Sequence, residues 1–234
     1  MIPGAETHFL TVTRLTQIPF LVHGFGTKEW QERDLKKYSE RKHFRRIFLE
    51  QVHSDRIHRI DRMPEKKLTG DALATVRPHF FLVIRTADCL PVLIVDEERR
   101  VIAAVHCGWR GTQKRILERV ITELQSRYGC QPSSLLVALG PGIGPDCYEV
   151  GGEVRQSFKE ADLPEDVFRP HPCHPGKFLL DLREANLKQM RHKEIHEDNI
   201  FLSPICTHCD GNFPSFRREG MKAGRMLSFI GLSV

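Results

Sequence analysis

Two apolar runs, Phe80-Phe81-Leu82-Val83-Ile84 and Val101-Ile102-Ala103-Ala104-Val105, constrain this chain most, because each reads as a buried strand of about five residues. The first leads into Thr86-Ala87-Asp88-Cys89 and the second into His106-Cys107-Gly108-Trp109-Arg110-Gly111. Strand ends and the loops beyond them are where a rigid scaffold usually displays functional side chains. Strand-like runs cover residues 18–25, 47–52, 72–76, 80–85, 91–96, 101–106, 135–139, 178–180, 200–202 and 226–232. Helical spacing is clearest over 112–128, where Ile116, Val120, Leu124 and Tyr128 recur every four residues and Gly129 supplies a stop. Residues 182–191 fit a second helix with Asp181 as its N-cap, and 152–160 a third. Strands outnumber helices without strict alternation, which predicts an α+β fold with helices over mixed sheets. With 234 residues and no Pro/Gly/Ser linker or low-complexity tract, one domain over 1–234 is expected.

Seven cysteines form no pattern of a small secreted scaffold, and Met1 to Glu6 lacks the basic and apolar regions of a signal peptide. Reduced thiols and a cytoplasmic location are therefore expected. There is no apolar run of about 18 residues, so no membrane partner is expected. The net charge of +5 is concentrated between Lys28 and Arg46, with Lys66 and Lys67. Lacking interleaved aromatics or a recognisable binding module, this stretch reads as solvated surface and not as a nucleic-acid site. A positive balance also suits an anionic co-substrate such as phosphate. The segment Gly140-Pro141-Gly142-Ile143-Gly144-Pro145 follows a strand but matches neither a dinucleotide fingerprint nor a P-loop. It reads as a plain loop or as a rigid turn offering backbone N–H groups to a ligand.

His53, in Gln51-Val52-His53, joins Cys89 and His106 as candidate metal ligands. Two imidazoles and a thiolate match the three protein ligands of a catalytic zinc site, whose fourth position is kept for water or substrate. Singly, Cys89 also fits core packing and His106 a satisfied core histidine; spacing alone leaves both readings open. A metal-free reading uses the same residues, with Cys89 as nucleophile, His106 as its base and His53 orienting. Elsewhere, Glu194 and the Cys206/Cys209 pair superficially resemble a nucleobase deaminase signature, but only eleven residues separate Glu194 from Cys206, and Ile205 intervenes between Pro204 and Cys206. A structural zinc knuckle would combine Cys206 and Cys209 with Cys173 and His174. None of the twelve His stand two residues apart, which disfavours a multicopper oxidase built on His-x-His pairs.

Ordered motifs carry a resemblance that covers nearly the whole chain. Gln51-Val52-His53, Gly70-Asp71-Ala72, Ala87-Asp88-Cys89, His106-Cys107-Gly108-Trp109-Arg110-Gly111, Leu139-Gly140-Pro141-Gly142-Ile143-Gly144 and Tyr148-Glu149-Val150-Gly151 are followed by Asp181-Leu182, Cys206-Thr207, Ser215-Phe216-Arg217-Arg218 and Gly224-Arg225. The series resembles the YfiH-like laccase-domain family, first called polyphenol oxidases and later described as multifunctional purine nucleoside phosphorylases. The resemblance implies two mixed sheets sandwiched between helix layers (α/β/β/α), with His53, Cys89 and His106 as metal-binding catalytic residues. It also implies zinc as cofactor, phosphorolysis of purine nucleosides and methylthioadenosine with phosphate, and adenosine deamination. Copper would bind the same donors well. The family's longer Asn- and Gly-rich segment after the His-Gly-Phe motif is replaced here by Gly26-Thr27-Lys28-Glu29-Trp30, running straight into the charged stretch.

Arg110 and Arg217 are the expected phosphate-binding side chains, since a planar guanidinium makes bidentate bonds to such anions. Asp71 and Asp88 are the carboxylates nearest the ligand motifs. Either can fix a His tautomer, protonate the purine or merely cap backbone at a turn. Trp109 reads as a packing anchor before it reads as a base-stacking platform.

Overall fold

The computed structural model describes Ile2–Pro3 and residues 8–234; of the N-terminal reading, Met1 and Gly4 to Glu6 lie outside the described residues. Two mixed sheets form the body. One holds, in order, Ile2–Pro3, Phe9–Thr11, Leu21–Gly26, Met226–Leu232, Phe80–Thr86, Arg45–Glu50 and Leu68–Thr69. The other holds Ile200–Leu202, Leu136–Leu139, Leu90–Asp96, Val101–Cys107, Ala72–Thr75 and Ile57–Arg59. A third, three-stranded sheet of Glu149–Gly151, Lys177–Leu180 and Phe168–Pro170 lies outside these two.

Alternation along the strands creates the layers. Leu82, Ile84, Ile230 and Leu232 of the seven-stranded sheet share one buried cluster with Leu93, Val95, Ile102 and Ala104 of the six-stranded sheet. Their neighbours face outward. Phe81, Val83, Leu227 and Phe229 pack with Phe9, Trp30 and Leu35, while Val92, Ile94, Ala103 and Val105 pack under Ile116, Val120, Leu124 and Phe158. Because both faces of each sheet are covered, their central strands are apolar at every position rather than every second one. The expected α/β/β/α arrangement of an α+β fold is therefore present, and every predicted strand run has a counterpart.

Three local differences follow from physical causes. The run at 18–25 becomes the strand Leu21–Gly26, because Ile18 accepts a turn bond from Leu21 N–H. The helix expected from 112 is split into Trp109–Gln113 and Ile116–Tyr128 by Arg115, whose φ of 59° is left-handed. The charged stretch is not all surface: Gln31 and Asp34 make a capping box that starts the helix Glu32–Arg41. That helix buries Leu35 and stacks Tyr38 on Phe81. Its apolar stripe, Leu35 with Tyr38, is too thin to stand out in a ten-residue helix that is otherwise charged and polar.

Candidate metal centre

The Asp71 carboxylate organises the first candidate ligand, His53. It is fully buried and accepts backbone N–H bonds from Val52 (3.3 Å), His53 (3.0 Å) and Ser54 (2.6 Å), as well as the Ser54 hydroxyl (2.6 Å). Wrapping the chain round an anion in this way holds His53 at a φ of 57°, a region a non-glycine residue seldom occupies. Asp71 Oδ1 also accepts from His106 Nδ1 at 2.8 Å. With Nδ1 so engaged, Nε2 of His106 is the ring atom left to bind a ligand, as when a carboxylate orients a metal-bound histidine.

His106 is one residue from the end of Val101–Cys107, on the face that carries Ile102 and Ala104, so it continues the core between the sheets to its edge. Cys107 points the other way into the helix-covered core. Cys89 sits in the turn that carries the chain from Phe80–Thr86 in one sheet to Leu90–Asp96 in the other. The preceding residue, Asp88, has a φ of 82° and is tied down at three points. Its carboxylate accepts from the Thr207 hydroxyl (2.7 Å) and Arg217 N–H (2.6 Å), and its carbonyl from Ile143 N–H (2.8 Å).

One donor atom from each of His53, Cys89 and His106 lies within 4.8 Å of the other two. Cys89 Sγ is 3.9 Å from His53 Nε2, and the two imidazoles meet edge to face with centroids 4.8 Å apart. Gly108 makes room for them. A Cβ there would stand 2.9 Å from His53 Cδ2 and 3.0 Å from Cys89 Sγ, closer than such atoms approach. Two nitrogens, one sulfur and an oriented imidazole are a donor set suited to zinc or copper.

Electrostatics inside the cluster match that donor set. Burial alone would raise the Cys89 thiol, but the charge and hydrogen bonds of His106, then of His53, outweigh it and lower it to about 6. Burial likewise opposes protonation of His106, yet the Cys89 charge and the Asp71 hydrogen bond raise it to about 9. Burial resists ionisation of Asp71, and hydrogen bonds from His106 and Ser54 overcome it, holding the carboxyl down at about 2. Cys89 and His106 thus each favour the charged form of the other.

Of the other candidates, Asp71 lies behind His106 and Asp88 is spent on backbone and hydroxyl donors. Arg217 donates to the Glu149 carbonyl (2.7 Å) and lies 5.5 Å over the Tyr148 ring. Arg110 is exposed, stacked 4.3 Å over Trp109, which packs against the helix-side core. Tyr148 carried no role in the sequence, although its motif was visible. Burial, followed by the Cys89 charge, pushes its phenol upward, while Arg217 and Arg110 pull it down, so it lies within electrostatic reach of the thiolate and both arginines. Only the folded positions of Cys89 and Tyr148, 59 residues apart in numbering, reveal that proximity. The sequence knuckle is redrawn as well: Cys206 and Cys209 meet Cys147, whereas His174 joins His171 and Glu149.

A four-layer fold with a two-histidine, one-cysteine centre at the edge of its inter-sheet core defines a laccase-domain protein. Residues 30–233 match the family model described as multi-copper polyphenol oxidoreductase laccase, and the chain belongs to that family, in its YfiH-like branch. A purine nucleoside phosphorylase of Clostridium acetobutylicum is 36% identical over 187 residues, 78% of this chain and 75% of that protein. Adenosine deaminase RL5, from an unknown prokaryotic organism, is 36% identical over 193 residues, 78% of this chain and 72% of that one. In three further purine nucleoside phosphorylases the matched stretch spans 59–61% of their length. The crystal structure of the Bacillus licheniformis hypothetical protein YfiH superposes with a TM-score of 0.88 at 29% identity, covering 98% of both chains.

Proposed function

We propose that this chain is a zinc-dependent purine nucleoside phosphorylase that also deaminates adenosine and cleaves methylthioadenosine, with His53, Cys89 and His106 as its metal-holding catalytic residues. The observation that carries the reading is the convergence of those three donors around a buried Asp71 that orients one of them. The phosphorylase and deaminase names of its relatives supply the reaction class. Zinc bound there would lower the pKa of a coordinated water from 15.7 toward about 7 and polarise a substrate oxygen.

The chain's own groups have separable tasks. Asp71 holds the His106 Nδ1 proton and leaves Nε2 as the ligating atom. Arg110 and Arg217 receive phosphate, which attacks the anomeric carbon as the bond to the purine nitrogen breaks. Tyr148, whose phenol burial and the Cys89 charge push upward, stays protonated and would serve as a hydroxyl donor toward the substrate. Asp88 acts at one remove, fixing the Cys89 turn and the start of the Phe216–Glu219 helix that carries Arg217. Seven unpaired cysteines favour a reducing, cytoplasmic setting, and among the described residues no helix is long and apolar enough to cross a membrane.

The thiolate–imidazolium pair favours one rival, a metal-free hydrolase with Cys89 as nucleophile. Copper suits the same donors, but two histidines and a cysteine fall far short of the histidine-rich centres of a multicopper oxidase. Incubating metal-analysed protein with adenosine, with and without phosphate, separates the reactions. Adenine and ribose 1-phosphate are expected with phosphate, and inosine without it. Cys89→Ala is expected to stay folded while losing metal from this centre and at least about 100-fold in turnover. Activity that survives complete chelation and succumbs to thiol alkylation would replace zinc chemistry with thiol chemistry.

A further inference from the structure

Three cysteines outside the catalytic cluster come together from two loops. Cys147 ends the loop that follows the strand Leu136–Leu139, and Cys206 and Cys209 form a Cys-x-x-Cys turn after Ile200–Leu202. Their sulfurs all lie within 4.8 Å of one another, with Cys147 and Cys209 3.3 Å apart. The second loop is tied to the first through the sulfur of Cys206, which accepts the Gly144 N–H at 3.1 Å. A parallel bridge between Gly142 and Cys206 and a Thr207 N–H bond to the Gly142 carbonyl (3.1 Å) hold the two loops in register. A Cβ at Gly144 would press on the Cys206 side chain at 3.2 Å.

We propose that Cys147, Cys206 and Cys209 bind a second zinc ion, distinct from the His53–Cys89–His106 centre. Three thiolates select a soft, thiophilic cation, and the two-residue spacing of Cys206 and Cys209 is that of structural zinc turns. A dication also removes the mutual repulsion that otherwise keeps sulfurs so close together from ionising as a group. The fourth position falls to water. The neighbouring Glu149–His171–His174 group is a poorer candidate. His171 Nδ1 already accepts N–H bonds from Cys173 and His174 at 3.1 Å each, and its Nε2 faces the Glu149 carboxylate at 3.4 Å.

The consequence is positional. Each loop carries, directly after its first ligand, a residue tied to the segments around the catalytic cluster: Tyr148, under the Arg217 guanidinium, follows Cys147, and Thr207, which follows Cys206, holds the Asp88 carboxylate. Zinc joining the loops would fix both at once without touching substrate.

The test counts metal after the catalytic centre has been disabled, so its outcome does not depend on the nucleoside reading. Cys89→Ala protein, loaded with zinc, kept reduced and freed of loose metal by gel filtration, is expected to retain about one zinc per chain. Adding Cys206→Ser is expected to reduce that to less than about a tenth. Replacing zinc by cobalt should give a thiolate-to-cobalt charge-transfer band in the first protein and none in the second. Cys206→Ser loosens a loop contact, so Cys209→Ser at the exposed ligand is measured alongside, with circular dichroism to verify folding. It is expected to weaken zinc binding at least about 10-fold. Cys89→Ala protein that retains no zinc, or zinc unaffected by both serine variants, would overturn the proposal. So would a Cys147–Cys209 disulfide persisting under reduction.

Discussion

At the scale of single residues, Asp71 connects more of the centre than either of the histidines it supports. One carboxylate forms the turn that presents His53 and fixes the tautomer of His106, so its charge and its geometry can be separated by substitution. Asp71→Asn keeps the shape but turns one accepting oxygen into a donor facing other donors. It is expected to cost about 10- to 100-fold in affinity at the catalytic centre, the usual range for a lost outer partner of a metal ligand. Competition against a graded series of chelators, in a Cys206→Ser background, measures it. An affinity equal to that of the parent would mean that Asp71 serves only the turn. The three candidate ligands were visible as motifs beside apolar runs, but the runs alone fit core packing equally well, and it was the resemblance that grouped them. Tyr148 and Cys147 were not legible, since nothing in local sequence says that the Gly140–Pro145 loop returns to face Cys89 and Cys206.

Among elements, the central strands were read best, while short edge strands such as Ile57–Arg59 and Phe168–Pro170 were missed, and the reason is burial. A central strand covered on both faces is apolar throughout, so Phe80–Thr86 and Val101–Cys107 stand out, whereas Glu32–Arg41 meets the core through a narrow stripe. Leu21–Gly26 carries a concealed feature of another kind. His23 is 3% exposed within it, and its Nε2 accepts the Val12 N–H at 2.9 Å, which only an unprotonated nitrogen can do. Burial lowers its pKa from 6.5 to about 4. Between those values the unfolded chain binds a proton that the folded chain refuses, so stability falls as pH drops. This contribution is complete above about 6.5 and is lost progressively toward 4, amounting to about 3 kcal/mol at most. Urea denaturation from pH 7.5 to 4 is expected to show it, and His23→Gln, which keeps an acceptor for Val12, should remove that part of the slope. A variant with the parent's slope would assign the acid sensitivity to other groups.

For the molecule as a whole, the centre lies at the meeting of its two large sheets. His53 follows a strand of one, His106 belongs to the other, and Cys89 sits in the turn between them. The spacing of the three donors therefore depends on how the sheets pack, and that packing is a single shared cluster in which Leu82, Ile84 and Ile230 interleave with Leu93, Ile102 and Ala104. Neither sheet can leave without exposing the inner face of the other, so the two layers should unfold together despite their different coverings. The two tryptophans report on opposite sides: Trp30 belongs to the aromatic cluster outside the seven-stranded sheet, and Trp109 packs into the helix-covered core of the six-stranded one. Trp30→Phe and Trp109→Phe each leave one reporter, and their urea transitions, each compared with circular dichroism of the same protein, are expected to coincide. Leu82→Ala, which opens a cavity in the shared cluster, should move both reporters by the same amount, about 2–5 kcal/mol. Fluorescence and circular dichroism transitions that separate, or a Leu82→Ala effect seen by Trp30 alone, would show two cooperative units joined at the metal centre instead of one built around it.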